Sequence, residues 1–436
     1  MSRLPALKAW TTSPYALVAA PYLVLRLAAW IGVSPKAYQD SADYLKYAAK
    51  PFFSQQFWAG GRAWVPVLFY RLLPDGNTYR TLGQLLVSVA CWLALAIVVA
   101  RCIRRPGLRV VAFALVLVFS MSMAIIQWDS VIVSESLSIS LGAALVAAWL
   151  ALVRRPGNLN IALVLLFSLL WASTRDTNSW VVLLTVPCTL AWMVVAWRRA
   201  GRLRAGFTPA RVALAVGCVA IYFSVVVEST NGPIYRGSEV IFHVIDRRVV
   251  KDPVEFRYFR DHGLPARPKE YRPHKYIEWV RHHARSTLAG FLITHPRKAI
   301  TAVVRNRDQL IDVSYLVHYR SRQARTILPE PIAEIVFPRS FQDVLFWLVV
   351  IGFAAAYTAR RYGAGRLWLV PVLLLAFQPV HAFVVYNGDA WEVSRHALLV
   401  GVFTRLSLLL LALLALDAFL SRRGAEGTAG SPAAAR

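Results

Sequence analysis

Ten apolar stretches of membrane-spanning length, with acidic residues gathered at one end and short basic loops at the other, constrain this chain more than any motif in it. They run over residues 14–33, 81–100, 110–127, 137–153, 160–174, 180–197, 209–228, 342–359, 367–386 and 397–420. A bilayer core takes about 20 predominantly apolar residues per helix. Within lipid a spanning segment must satisfy its own backbone hydrogen bonds, which leaves helices or closed barrels. The pattern predicts an all-α polytopic membrane protein with about ten transmembrane helices, residues 160–174 forming the shortest.

Orientation follows from the short Lys and Arg loops. Arg101, Arg104, Arg105 and Arg109, then Arg154 and Arg155, Arg198 to Arg211, Arg360, Arg361 and Arg366, and finally Arg422 and Arg423 occupy alternate loops. These loops and both termini are expected in the cytoplasm. The opposite loops hold Asp40, Asp43, Asp75, Asp129, Glu135, Asp176, Glu228, Asp389 and Glu392. With the 12 acidic residues of the long segment between the seventh and eighth spans, that is 21 of 23 on one side. Any chemistry that needs carboxylates is therefore expected outside, on a multi-pass protein of the inner (plasma) membrane.

A hydrophobic content of 57% excludes an ordinary soluble domain. The net charge of +26 would suggest nucleic acid in a soluble protein, but here inner-leaflet anchoring accounts for much of it, so membrane lipids are the expected partner and nucleic acid is not. Arg26 interrupts the first apolar run and no small-residue cleavage site follows, so that span is expected to stay as an anchor. Cys91, Cys102, Cys188 and Cys218 all fall in spans or at their inner ends, which points away from a disulfide framework or a cysteine metal site.

Four parts are expected: an N-terminal transmembrane module (1–229) with a first outer loop (34–80), an extracytoplasmic helical cap (230–341), a C-terminal transmembrane module (342–420) and a disordered tail (421–436). In the outer loop Tyr44, Leu45, Tyr47 and Ala48 share a helical face, predicting an amphipathic interfacial helix with Asp40 as a possible N-cap. Trp64 to Leu73 is apolar but too short to span, and is expected to lie on the surface or re-enter. The cap carries helical apolar spacing at Tyr276, Ile277, Val280, Ala284 and Leu288, and again through Phe291 to Ile311, which predicts helices apposed to the membrane.

Four polar constellations fall on the acidic side. Asp40 and Asp43 sit three apart ahead of Tyr44, so a helix puts both carboxylates on one face, where one can take a proton from a hydroxyl. Asp129 and Glu135 flank the head of the fourth span, where Glu135 either caps the helix or faces a cavity. Thr174-Arg175-Asp176-Thr177-Asn178 places a cation in an outer turn, either neutralised by Asp176 or facing an anionic phosphate. Asn387 to His396 brings Asp389, Glu392, Arg395 and His396 to the start of the last span, where cations oppose the helix dipole unless an anion joins them. No Gly-rich phosphate loop, zinc-ligand spacing or Gly-x-Ser-x-Gly elbow appears, which speaks against a nucleotide-driven pump or a serine hydrolase.

The outer Asp-Ser-x-x-Tyr, the Ser-Glu-Ser-Leu opening a later span, Thr-Arg-Asp-Thr-Asn and the closing Glu-x-Ser-Arg-His together resemble bacterial, especially actinobacterial, glycosyltransferases of the GT-C fold. The resemblance implies a polyprenyl phosphate sugar donor and a catalytic base in the first outer loop, Asp40 first and Asp43 second. It implies transfer of one sugar, with inversion, to an acceptor hydroxyl of a lipid- or glycan-linked substrate or a protein. In that scheme Arg175, Arg395 and His396 hold the donor phosphate, while Tyr44, Asp129, Glu135, Asp176, Asp389 and Glu392 contact sugar or acceptor. No cofactor is expected. The Asp-x-Asp pair of some metal-dependent relatives is absent, so no metal ligand is assigned. Two other classes fit the charge pattern: a lipid or glycan flippase, which predicts inverted repeats, and an oligosaccharide ligase or polymerase.

Overall fold

A computed structural model describes residues 13–231, 236–265, 274–313, 316, 320–321 and 323–429. In chain order its principal helices are α1 (Pro14–Trp30), α2 (Gln39–Ala48), α3 (Trp64–Leu72), α4 (Asn77–Cys102), α5 (Pro106–Ser120), α6 (Glu135–Arg154), α7 (Asn158–Ala172), α8 (Asp176–Ala200) and α9 (Pro209–Asn231). They continue with α10 (Arg236–Arg247), α11 (Ala284–Thr294), α12 (Pro296–Arg305), α13 (Arg307–Ile311), α14 (Phe341–Tyr362), α15 (Leu369–Gly388), α16 (Val393–His396) and α17 (Leu398–Ala429). Among the described residues no β-strand forms beyond one isolated bridge between Lys36 and Val131.

Seven of these helices are long and apolar enough to cross a membrane: α4, α6, α8, α9, α14, α15 and α17. An eighth crossing is a bent pair, in which α5 and the helical turns Met123–Ser130 meet at 55°. The remaining two expected spans are the shorter apolar helices α1 and α7, of 17 and 15 residues. Ten helical stretches thus lie where ten apolar runs were read, three of them short or bent. The protein is an all-helical, multi-pass membrane protein. At its end the chain departs from expectation: α17 carries on to Ala429 instead of stopping near Ser421, while residues 430–436 lie outside the described set.

Helices α6 and α17 form the centre, with 83% and 89% of their apolar windows buried, whereas α14 has only 17% buried and faces outward. At the end carrying the basic loops, the Asp417 carboxylate accepts from the backbone N–H groups of Arg104 and Arg105, at 3.1 and 3.2 Å, just ahead of α5. An anion is favoured at a helix N-terminus, which explains why an acidic residue lies at this end.

Arg26 and Asp129 form a buried tie inside the bundle. The Arg26 guanidinium donates to Asp129 at 2.5 Å, to the Ser120 carbonyl at 2.7 Å and to Ser88 Oγ at 2.8 Å, and Ser136 Oγ donates to the other Asp129 oxygen at 2.7 Å. Removing one member of such a pair leaves a buried charge uncompensated, which costs about 3–5 kcal/mol, while replacing both with apolar groups is often neutral. Arg26→Met is therefore expected to lower the melting temperature sharply, and Arg26→Met with Asp129→Leu to recover most of the loss. Thermal melts in detergent check this: a double variant as unstable as the single one refutes it.

The first outer loop folds onto the bundle as the pattern predicts. Tyr44, Tyr47 and Ala48 are the buried face of α2, and Val65, Val67 and Tyr70 that of α3. Asp40 is not an N-cap, however: that position is Tyr38, whose backbone N–H donates to Ser41 Oγ at 2.9 Å.

Candidate functional site

The site is assembled where α2, the start of α6, the turn before α8 and the short helix α16 converge. Gln84 of α4 donates to the Val131 carbonyl at 2.9 Å, and the Tyr70 hydroxyl of α3 reaches the Val133 carbonyl at 2.8 Å. These bonds hold Val131 extended and anchor the bend through Ile132 and Val133 that follows it. Ile132 in turn accepts from Ser41 Oγ at 2.6 Å, so the strap that leads into Glu135 also fixes the helix that carries Asp40. Gly60 and Gly61, just before Arg62, pass against the Tyr47 ring; a Cβ at Gly61 would lie 2.6 Å from the Tyr47 hydroxyl, so a larger residue cannot take this path unchanged.

Arg395 is the hub. Its three guanidinium nitrogens meet three carboxylates: Nε donates to Glu135, Nη1 to Glu392 at 2.7 Å and Nη2 to Asp40 at 2.6 Å. The same Glu135 oxygen accepts from Arg175 Nη2 at 2.6 Å, while its second oxygen is buried with no hydrogen-bond partner among the described residues. Asp40 also accepts from Arg62 at 2.7 Å, and Arg62 reaches Asp43 at 2.8 Å. His396 Nε2 lies 3.0 Å from Asp389. The Arg62 guanidinium sits 5.3 Å over the Tyr44 ring, a cation–π contact that holds it in place.

Burial alone would raise the Asp40 carboxyl, but the Arg395 and Arg62 guanidiniums outweigh it and hold the group at about 2. Burial likewise works against the charge on Arg395, and Glu135 and Asp40 more than reverse that, keeping it cationic. Asp389 is lowered because His396 overcomes the effect of its burial. Glu392 is the only non-glycine among the described residues at positive φ, at 52°. Such a conformation costs energy and persists where surroundings impose it; here the Glu392 carboxylate is held on Arg395.

A cavity of about 400 Å³ opens against this cluster. Asp40, Tyr44, Arg62, Arg175, Asp176, Asp389, Arg395 and His396 line its polar end, and Trp180, Tyr222, Val225 and Val384 its apolar wall. Seven residues singled out in the sequence thus meet in one cavity. Glu135 stands behind it, fully buried, joining the two arginines. Asp43 and Glu392 join through Arg62 and Arg395 without lining it. Asp129 lies apart, paired with Arg26 beside a different, smaller cavity. Arg175 is neutralised by Glu135, and the dipole conflict at Arg395 is met by carboxylates on a helix of only four residues. Arg62 and Arg285, which also lines the cavity, were not singled out. An arginine directly after two glycines, in the loop that carries Asp40 and Asp43, was the available signal for Arg62.

No protein-family model matches the chain, nor does any curated protein. Among solved structures it is similar to the archaeal oligosaccharyltransferase AglB from Archaeoglobus fulgidus, in complex with an inhibitory peptide and a dolichol-phosphate. There the TM-score is 0.48 at 12% identity, over 98% of this chain and 52% of that one. A second similar structure is the Archaeoglobus fulgidus oligosaccharyltransferase tethered with an acceptor peptide, with TM-score 0.46, 11% identity, and coverage of 92% and 49%. The chain spans about half the length of these proteins. Likeness this distant says nothing of the chemistry at this chain's own cavity.

Proposed function

We propose that the protein is an inverting membrane glycosyltransferase of the GT-C type, which moves one sugar from a polyprenyl phosphate to a hydroxyl of a lipid- or glycan-linked acceptor at the extracytoplasmic face. The observation that carries this reading is the cavity itself: Arg175 and Arg395 stand beside the Asp40 carboxylate at one end, and an apolar wall of Trp180, Tyr222, Val225 and Val384 leads away from them between membrane helices. A phosphate on a long apolar tail matches both halves.

The geometry supports a sequence of events. Glu135 has no solvent exposure, whereas the Asp40 and Glu392 side chains are 24% and 30% exposed, so an arriving phosphate exchanges with the latter two on Arg395 and leaves Glu135 in place. Arg175 Nη1 donates to the backbone carbonyls of Arg395 and His396, both at a long 3.4 Å, and is placed to share the phosphate. Loss of the Arg395 contact frees Asp40 Oδ2. The acceptor oxygen then attacks the anomeric carbon opposite the phosphate, the carbon–phosphate-oxygen bond breaks, and the acceptor proton passes to Asp40. The donor is a phosphodiester with one negative charge and the product a monoester with nearly two, so cations at the phosphate favour the transition state over the bound donor.

Arg395→Lys tests this. Lysine keeps the charge but lacks the planar fork that spans carboxylates and phosphate together. Losing one charged contact costs about 1.5–3 kcal/mol, so transfer should fall roughly 10- to 100-fold. Titration of purified, correctly folded Arg395→Lys and Arg395→Ala with polyprenyl phosphate checks the assignment, and wild-type affinity in both removes it. Purified protein that carries a polyprenyl phosphate sugar across vesicles without forming a glycoside would replace the enzyme reading with a flippase.

A further inference from the structure

The cap has a small core of its own, yet one of its edges is bare and aliphatic. Ile293 at the end of α11 is 77% exposed, and Ile300 and Val304, four apart on one face of α12, are each 55% exposed. Single exposed aliphatic side chains are ordinary, but a strip is not. The adjoining side of α12 decides its depth. Ala299 is buried, and Val303 packs against the cluster of Leu310, Ala382, Val385, Ala397 and Val400. Ala382 and Val385 precede the end of α15, at Gly388, by six and three residues. At 1.5 Å per residue that is roughly 5–9 Å inside the spanning helix. At the same level Asn306 donates to the Tyr386 hydroxyl at 2.9 Å. An interfacial amphipathic helix buries its apolar face to about this depth, 5–10 Å below the headgroups.

Two further features say what covers the strip. The Arg307 guanidinium at the start of α13 lies 5.0 Å over the ring of Phe341, the first residue of α14, and α14 then continues outward-facing through Phe346, Val350 and Phe353. The bare edge of α12 therefore stands beside the head of a span whose surface belongs to lipid. Arg297 and Arg305 flank the strip and are exposed, the pattern of a helix that meets anionic headgroups.

We propose that the α11–α12 elbow is seated in the leaflet at the site end of the bundle, with Ile293, Ile300 and Val304 among the acyl chains and Arg297 and Arg305 at anionic lipid phosphates. The consequence reaches the site, because α11 begins one residue before Arg285, which lines the charged cavity. Lipid seating holds that wall of the cavity in place, whatever reaction the cavity performs.

The full-length protein, with a single cysteine at Ile300 or Val304 carrying an environment-sensitive fluorophore, is reconstituted in vesicles of phosphatidylcholine and phosphatidylglycerol containing acyl-chain quenchers. Both labels should emit blue-shifted light and be quenched roughly twofold or more, while a label at Lys275, exposed elsewhere on the cap, should not. Water-like emission at both 300 and 304 overturns the proposal. In phosphatidylcholine alone the quenching at 300 should weaken, and quenching that does not change overturns the anionic-lipid half.

Discussion

Asp40→Asn is expected to lower sugar transfer by about 10²- to 10⁴-fold, the usual contribution of a positioned general base, in a protein that still inserts and melts near the wild type. Stability survives because each of its partners keeps another carboxylate: Arg62 retains Asp43, and Arg395 retains Glu135 and Glu392. Asparagine preserves an acceptor oxygen for one of the two arginines, which bond to different Asp40 oxygens. What it cannot do is take a proton from the acceptor. Asp43→Asn should be milder, since Asp43 reaches the cluster only through Arg62 and its side chain is 45% exposed. The measurement is turnover of a polyprenyl phosphate sugar by purified variants; a wild-type rate for Asp40→Asn would move the base elsewhere, with Asp43 next in line.

The pH dependence follows from the same contacts. Asp40 is held at about 2, below its ordinary value, so its favourable pairing is present above the normal carboxylate range and is lost only as pH falls toward 2. When a phosphate takes Arg395 from it, burial and the new anion both push the carboxyl upward and Arg62 alone still holds it down, so Asp40 becomes a stronger base than in the free protein.

Much of this arrangement was legible before any coordinates, and the part that was not has a physical cause. Apolar runs locate helices because a bilayer imposes their length, and the sorting of Asp and Arg between loops locates the end at which Asp40, Arg175 and Arg395 meet. Periodicity within α2 identifies its buried face at Tyr44, Tyr47 and Ala48. Pairing is another matter. Arg26 and Asp129 are 103 residues apart, Arg395 and Glu135 are 260 apart, and nothing local in either segment encodes the meeting. Read alone, Glu135 is a cap and Asp129 a sugar ligand; the packing of α1 against the bent pair of α5 and Met123–Ser130 takes Asp129 out of the cavity, and the approach of α16 to α6 turns Glu135 into a bridge. Arg395 at a helix start likewise invited an external anion, when its neighbour Glu392 and two carboxylates from distant segments, Asp40 and Glu135, already surround it.

Glu135→Ala should be the most damaging single change in the cluster, and for a reason distinct from catalysis. One oxygen of this fully buried carboxylate accepts from both Arg175 and Arg395. Without it the two guanidiniums face each other across a buried space. Truncating one partner of a buried ion pair costs about 3–5 kcal/mol, and here the truncated partner serves two cations. Glu135→Gln should fall between Ala and wild type in stability, because the amide oxygen still accepts but no longer offsets the charge. Ligand response separates the structural role from the proposed donor site. If the arginines also hold phosphate, an anion in the cavity replaces part of the missing charge, so polyprenyl phosphate should raise the melting temperature of Glu135→Gln by more than it raises that of the wild type. A Glu135→Ala protein that melts with the wild type would show that the bridge does not hold the cluster together. A Glu135→Gln protein stabilised no more than the wild type would leave the bridge intact and deny the arginines their phosphate.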